Sequence, residues 1–140
     1  MIISLNDDEA WALLRKGRLA RLGCIADGEP YVVPVNYAAE GACVLIHSLP
    51  GRKIRAMRAN PYVCLQVDEI TDHCHWRSVL AYGTYEEVGN GAERARAMNR
   101  LLAAFPQLTP VESRLAADAA APSPIIFRIR VEQITGLCED

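Results

Sequence analysis

Apolar positions along this 140-residue chain recur with two periods, one helical and one strand-like, and the changes between them mark the elements. Asn6-Asp7-Asp8-Glu9 has the form of an N-cap with its capping-box glutamate. Trp11, Leu13 and Leu14 continue that helix, and Gly17 ends it. Arg18 to Ile25 reads as a strand, Asp27-Gly28 as a hairpin turn and Tyr31 to Tyr37 as the returning strand. Pro34 lacks an N–H to give to a ladder, so it points to an edge, a bulge or a ligand-facing position. Glu40-Gly41 marks the next turn, and Ala42 to His47 is a third strand. Three strands joined by short turns predict an antiparallel meander.

Ile54 and Met57 have the spacing of one buried helix face, which predicts a basic helix over Arg52 to Ala59, stopped by Asn60-Pro61. Tyr62 to Val67 is strand-like, Asp68 to Asp72 reads as a polar loop, and a long strand runs from His75 to Val88. Gly83 inside that strand marks a bend or a close approach. Asn90 is placed to cap a helix from Gly91 to Phe105. Thr109-Pro110-Val111-Glu112 opens a short helix to about Ala117, followed by an Ala/Pro-rich loop. Ile125 to Val131 alternates as a final strand with Arg128 and Arg130 on one face. No repeat or linker divides the chain, so residues 1–140 form one domain. The predicted class is α+β, a mainly antiparallel, partly closed barrel of about six strands with peripheral helices.

Composition narrows the function. Hydrophobic residues make up 51% of the chain, as a packed core requires, and a net charge of −2 gives no field for nucleic acid. No apolar run approaches the roughly 20 residues of a membrane span, and early acidic residues argue against a signal peptide. A cytoplasmic protein is the expectation. Cys24, Cys43, Cys64, Cys74 and Cys138 form no CxxC pair, which suits packing thiols better than disulfides.

The chemistry concentrates at His47-Ser48-Leu49-Pro50-Gly51-Arg52-Lys53, where a strand breaks and a helix opens on two cations. A first helical turn has unpaired N–H groups and partial positive charge, and normally favours acidic residues. Arg52 and Lys53 work against that preference, which makes the turn a seat for an anion, phosphate first. A solvated basic face shared with Arg55 and Arg58 is the plainer reading. His47, on the same strand face as Leu45 and Cys43, could cap a hydrophobic pocket and move a proton, or simply pack at the barrel rim. Arg77, beside Trp76 and Val79, needs an anion, a carbonyl or solvent; it could share a phosphate with Lys53 if its strand crosses near the Gly51 turn. His73-Cys74-His75 invites a metal reading. In an extended segment, however, Cys74 points away from the two histidines, and no zinc-site spacing surrounds them, so no metal site is expected.

The order of these motifs carries a resemblance. Gly17 to Leu22, Gly28 to Tyr37, His47-Ser48, Gly51-Arg52-Lys53, Asn60-Pro61 and Arg77-Ser78-Val79 with Gly83 together resemble the pyridoxamine-phosphate-oxidase-like split-barrel flavoproteins. The match is closest to their nitroimidazole-resistance branch and runs from about Leu14 to Val88. It implies a homodimeric split barrel with FMN at the subunit interface and a small-molecule substrate. By position, Arg52 and Lys53 then hold the flavin phosphate, with Arg77, Ser78 and Val79 completing the grip. Val33, Pro34, Val35 and Asn36 lie along the isoalloxazine ring, while His47 and Ser48 contact flavin and face the substrate. The chain departs from true pyridoxamine-phosphate oxidases at its end. Ile125 to Val131 lacks their Arg-x-His segment, which argues against that activity. Leu137 follows Thr135-Gly136 where a lysine is common, and Trp76 stands where tyrosine is common.

The expected function is an FMN-dependent oxidoreductase reducing a small, nitroaromatic-type acceptor, with His47 as proton donor or substrate guide. Two rivals remain from other classes. One is a flavin carrier or redox sensor without a substrate. The other is a haem-binding relative using His47, His73 or His75 as axial ligand.

Overall fold

The computed structural model describes residues 1–105 and 124–140. The elements in chain order are β1 (Ile2–Ser4), α1 (Asp7–Lys16), β2 (Leu19–Ala26), β3 (Glu29–Asn36), β4 (Ala38–Glu40), β5 (Cys43–Ser48), α2 (Arg52–Ala59), β6 (Tyr62–Asp72), β7 (His75–Glu87), α3 (Ala92–Ala104) and β8 (Ile125–Glu139). The strands form one antiparallel sheet in the order β3-β2-β6-β7-β8-β5-β4, with β1 added alongside β8. The sheet curls until β3 and β5 approach each other, giving the expected α+β split barrel, with eight strands among the described residues.

Its interior follows from alternation. Ala20, Leu22 and Cys24 of β2, Val63, Leu65 and Val67 of β6, Val79 and Ala81 of β7, and Phe127 and Ile129 of β8 all turn into one core. Helix α1 adds Ala10, Leu13 and Leu14, and α2 adds Ile54, Ala56 and Met57. A second cluster lies under α3, where Ala97 and Leu101 meet Leu45, Ile126, Ala38 and Val88. The Asn6 capping box is formed, and its side chain accepts from the Glu9 N–H at 2.8 Å. Gly17 ends α1 in an extended conformation rather than a left-handed one. A side chain there would collide with the hydroxyl of Tyr37, which is fully buried and donates to the Leu14 carbonyl at 2.6 Å.

Several expectations need correction. The meander does not form, because β3 pairs only with β2 while β5 pairs with β4 and β8. Ala38–Glu40 is the intervening strand, three residues being too few to show a period. Asp68 to Asp72 is not a loop but the outer half of β6, paired with β7 as an exposed ribbon. Its polarity reflects solvent on both faces. Asn90 does not cap α3, whose N-cap is Gly91 at φ 78° without a side-chain bond. The final strand runs eight residues beyond Val131. A bulge at Glu132 shifts the register between Tyr82/Gln133 and Gly83/Val131, so inward positions change from Phe127, Ile129 and Val131 to Ile134, Gly136 and Cys138. A strict period of two therefore ends at the bulge although the strand continues. The helix expected at Thr109 to Ala117 lies outside the described residues.

Candidate functional site

Strand β5 delivers the site. It ends at His47 and Ser48, opposite Ile126 and Ile125 of β8, and the chain turns through Leu49 to Gly51 into α2. Ser48 is buried and its hydroxyl donates to the Leu49 carbonyl at 2.9 Å, which holds the turn. His47 is half-buried on the Leu45 side of the strand, at the rim of the cluster beneath α3. Helix α2 then opens with no side chain capping its first N–H groups and no acidic residue in its first turn. The uncapped donors and two cations stand together.

The β2–β3 hairpin fixes those cations. Asp27 and Gly28 both have positive φ, 53° and 77°, the backbone of a two-residue type I′ turn. Counting outward from it sets Cys24 opposite Tyr31. The Arg52 guanidinium lies over the Tyr31 ring, 4.7 Å from its centroid. Lys53 is half-buried beside Cys24, and burial pushes its ammonium below the ordinary lysine range, partly offset by the thiol. Burial pushes the Cys24 thiol up, against the pull of Arg52 and Lys53. Among the described residues Lys53 has no ion pair, whereas Arg58 on the same helix is paired with Glu87 at 2.5 Å. An apolar groove of about 250 Å³ crosses the outer face of the same hairpin over Gly23, Val32, Tyr62, Cys64 and Tyr82, and Tyr31, the ring under Arg52, also lines it. This donor set fits a phosphate monoester attached to an apolar, planar body: charge and N–H groups at one end, aromatic and aliphatic walls next to it.

The remaining expected residues divide. Strand β3 is the free edge of the sheet, the position that Pro34 pointed to. The turn makes Ala26–Glu29 the hydrogen-bonded closing pair, so Pro30, Val32, Pro34 and Asn36 direct their backbone groups off the edge. The two prolines remove N–H groups there, and Val32 and Asn36 leave theirs open to a ligand. Pro34 and Asn36 also put their side chains on the outer face, while Val33 and Val35 turn towards the core. Val79 is likewise a fully buried core residue on a strand paired on both sides. It packs in the core between Ser78 and Leu80.

Arg77 and Ser78 are not brought to Lys53 within one chain. Gly23, next to the Lys53 neighbour Cys24, pairs with Cys64, whereas Arg77 pairs with Glu69. Those levels are five residues apart along β6, roughly 17 Å at about 3.4 Å per residue, and β7 lies two strands away from β2. Ser78 instead joins an outer-face network: the Gln66 amide donates to its hydroxyl at 3.0 Å and to Asp68 at 3.0 Å, and Arg21 donates to Asp68 at 2.9 Å. Tyr31, Cys24 and this network were missed in the sequence. Counting register outward from Asp27-Gly28 was the signal that could have located the first two.

Comparison with known proteins agrees with this architecture. The family model for pyridoxamine 5'-phosphate oxidase matches residues 6–137. An uncharacterised protein of Rhizobium meliloti (strain 1021) is 34% identical, over 94% of this chain and 91% of its own length. The crystal structure of a FAD-binding protein from Mesorhizobium loti superposes with a TM-score of 0.82 at 34% identity, covering 100% of this chain and 98% of that one. A Bacteroides thetaiotaomicron structure provisionally assigned to 5-nitroimidazole antibiotic resistance shares the fold, with a TM-score of 0.73 at 20% identity, covering 99% and 89%. The match over residues 6–137 and the full-length relatives place the chain in the pyridoxamine 5'-phosphate oxidase-like split-barrel family.

Proposed function

We propose that this protein binds FMN in a site shared between two copies of the chain and uses it to reduce a small acceptor, nitroaromatic compounds being the first class to test. The observation that carries the reading is the start of α2. It holds a half-buried Lys53 with no ion pair among the described residues and an uncapped first turn, with Arg52 over Tyr31, a ring that also lines an apolar groove. A phosphate there relieves both the desolvation of Lys53 and the adverse charge of the turn. Membership of a flavoprotein family and similarity to a FAD-binding protein support a flavin as the molecule carrying that phosphate.

Bound flavin supplies the electron transfer; the chain supplies binding, orientation and proton control. Lys53, Arg52 and the α2 N–H groups hold the phosphate. The open Val32 and Asn36 N–H groups on the β3 edge are placed to hold polar ring atoms. His47, half-buried just before the turn, is the residue we assign to proton delivery to a reduced acceptor. A second copy packed on the outer face of the sheet brings its own Arg77 and Ser78 to the site.

Absorption of the purified protein, followed by FMN titration, tests the reading. Flavin bands or stoichiometric FMN uptake are expected, and extraction with mass measurement separates FMN from FAD. A Soret band, or no uptake of either flavin, overturns it. Reduced protein that reoxidises with a nitroimidazole no faster than free reduced FMN removes the reductase activity and leaves a carrier.

A further inference from the structure

The β6–β7 turn holds a donor cluster that the flavin reading leaves unused. In an extended chain Cys74 would point away from His73 and His75. The chain is not extended: Asp72 pairs with His75, and His73 and Cys74 are the two residues of the turn. Strand alternation does not apply to them, and Asp72 joins the set.

One ligand atom each from Asp72, His73 and Cys74 lies within 4.8 Å of the others. Around a tetrahedral zinc ion with bonds of about 2.0–2.3 Å, ligand atoms stand roughly 3.3–3.8 Å apart. Closing the set takes about an ångström of movement, which exposed side chains reach by small torsional changes. The carboxylate is already oriented. Asp72 Oδ1 accepts the Cys74 N–H at 2.8 Å, and the His75 ring Nδ1 lies 2.8 Å from Oδ1 and 3.0 Å from Oδ2. Such a hydrogen-bonded partner fixes a ligand and strengthens the site. Thiolate, imidazole and carboxylate together suit zinc-like ions, not the all-oxygen shells of magnesium or calcium. Asp72 and His73 also face an open depression of about 360 Å³ with Trp76, Arg77 and Ser78, which leaves room for solvent on the ion.

We infer that Asp72, His73 and Cys74 bind one transition-metal ion of the zinc class, with His75 holding the Asp72 carboxylate and water completing the coordination.

Cobalt substitution tests this on the reduced, metal-stripped full chain. Titration with Co²⁺ is expected to saturate at one ion per chain. It should give red-region d–d bands of four-coordinate cobalt and a thiolate charge-transfer band, and Zn²⁺ should displace both. The d–d bands lie to the red of oxidised flavin, so bound FMN does not obscure them. Cys74→Ala should abolish the charge-transfer band, His73→Ala should weaken binding at least about tenfold, and His75→Ala should weaken it about tenfold. Cys43→Ala should change nothing. The turn residues are exposed, so their variants should keep the metal-free melting temperature, and a lost spectrum then reports ligation. Absence of a cobalt spectrum at stoichiometric metal, or one unchanged in both Cys74→Ala and His73→Ala, overturns the site.

Discussion

At Lys53 two costs meet: an ammonium drawn half out of water and a cation placed at the positive end of a helix. Both are relieved by one bound anion, so the residue should matter more to FMN than other cations of the same helix. Lys53→Ala is expected to raise the FMN Kd by about 10- to 100-fold, the worth of a charge-assisted hydrogen bond of about 1.5–3 kcal/mol. Arg58→Ala, which removes a cation already paired with Glu87, should leave the Kd within about twofold. Isothermal titration of the three proteins checks this, and matching isotherms would contradict the assignment. Burial lowers the Lys53 pKa, so the free protein loses this charge at a lower pH than an ordinary lysine would. FMN affinity should therefore fall as pH rises into the alkaline range, and fall less in Lys53→Arg, whose guanidinium stays protonated. Parallel pH profiles would count against Lys53 as the phosphate ligand. The cation pair was legible in sequence because it breaks a local charge rule. Its neighbours Tyr31 and Cys24 were not, because nothing local distinguishes them until the hairpin brings them across.

Among the elements, β7 and β8 carry the longest pairing, and its irregularity is informative. Gly83 sits at the bulge, where an added Cβ would strike the carbonyl oxygen of Arg130, a backbone atom that cannot move aside. Gly83→Ala should lower stability by about 2–3 kcal/mol, read as a reduced urea midpoint. An unchanged midpoint would show that the ladder can open there. Beside the bulge, Glu86 bridges Arg130 at 3.0 Å and Arg128 at 3.1 Å, and Arg128 reaches on to Glu93 of α3 at 2.6 Å. The hydrogen bond from Arg130, then that from Arg128, hold the Glu86 carboxyl below the ordinary glutamate range. A lowered acid pKa stabilises the fold above its unfolded value, and that contribution disappears as pH falls through the folded value. Thermal melts of the wild type should thus drop with acidification below the ordinary glutamate range more steeply than those of Glu86→Gln. Equal slopes would place the acid sensitivity elsewhere. The contribution is small because the Glu86–Arg130 pair is about half exposed and screened by solvent. Strand identity at this scale was readable in the longer strands with one buried face, not in three-residue β4. It failed for Asp68 to Asp72, where both faces meet solvent, and beyond Val131, where the bulge changes the phase.

At the scale of the molecule, the curled sheet has an outer face that no helix covers among the described residues, where exposed apolar side chains surround the Arg21–Asp68–Gln66–Ser78 network. Leu19 and Ile25 of β2, Val32 of β3, Tyr62 and Ile70 of β6 and Leu137 of β8 all point outward, with Val32 and Ile70 about two-thirds exposed. Exposed apolar side chains gathered on one face and bordered by polar groups mark a partner surface. The proposed partner is a second copy, which would bring its Arg77 and Ser78, beside the far end of β6 from Lys53, to the proposed flavin site. Mixed dimers test this directly. A heterodimer of Lys53→Ala and Arg77→Ala chains has one intact site if the two residues come from different subunits, and none if they come from the same subunit. Unfolding and refolding the two variants together should restore one site of wild-type FMN affinity per heterodimer, an affinity that neither variant shows alone. No recovery, with heterodimers verified by mass, would put both residues on one chain's site.

What the sequence determined by itself is local and periodic. It carried the strand and helix identities with one buried face, the Asn6 cap, the type I′ hairpin and the cation pair at the start of α2, because each rests on residues within a few positions of one another. The tertiary structure decided which strands are neighbours, since hydrophobic alternation sets which face is buried but not which backbone lies alongside. That choice paired β5 with β4 and β8 instead of β3, left β3 at an edge of the sheet and separated Arg77 from Lys53. It also turned His73 and Cys74 onto a hairpin turn next to Asp72, a grouping that no strand periodicity could show.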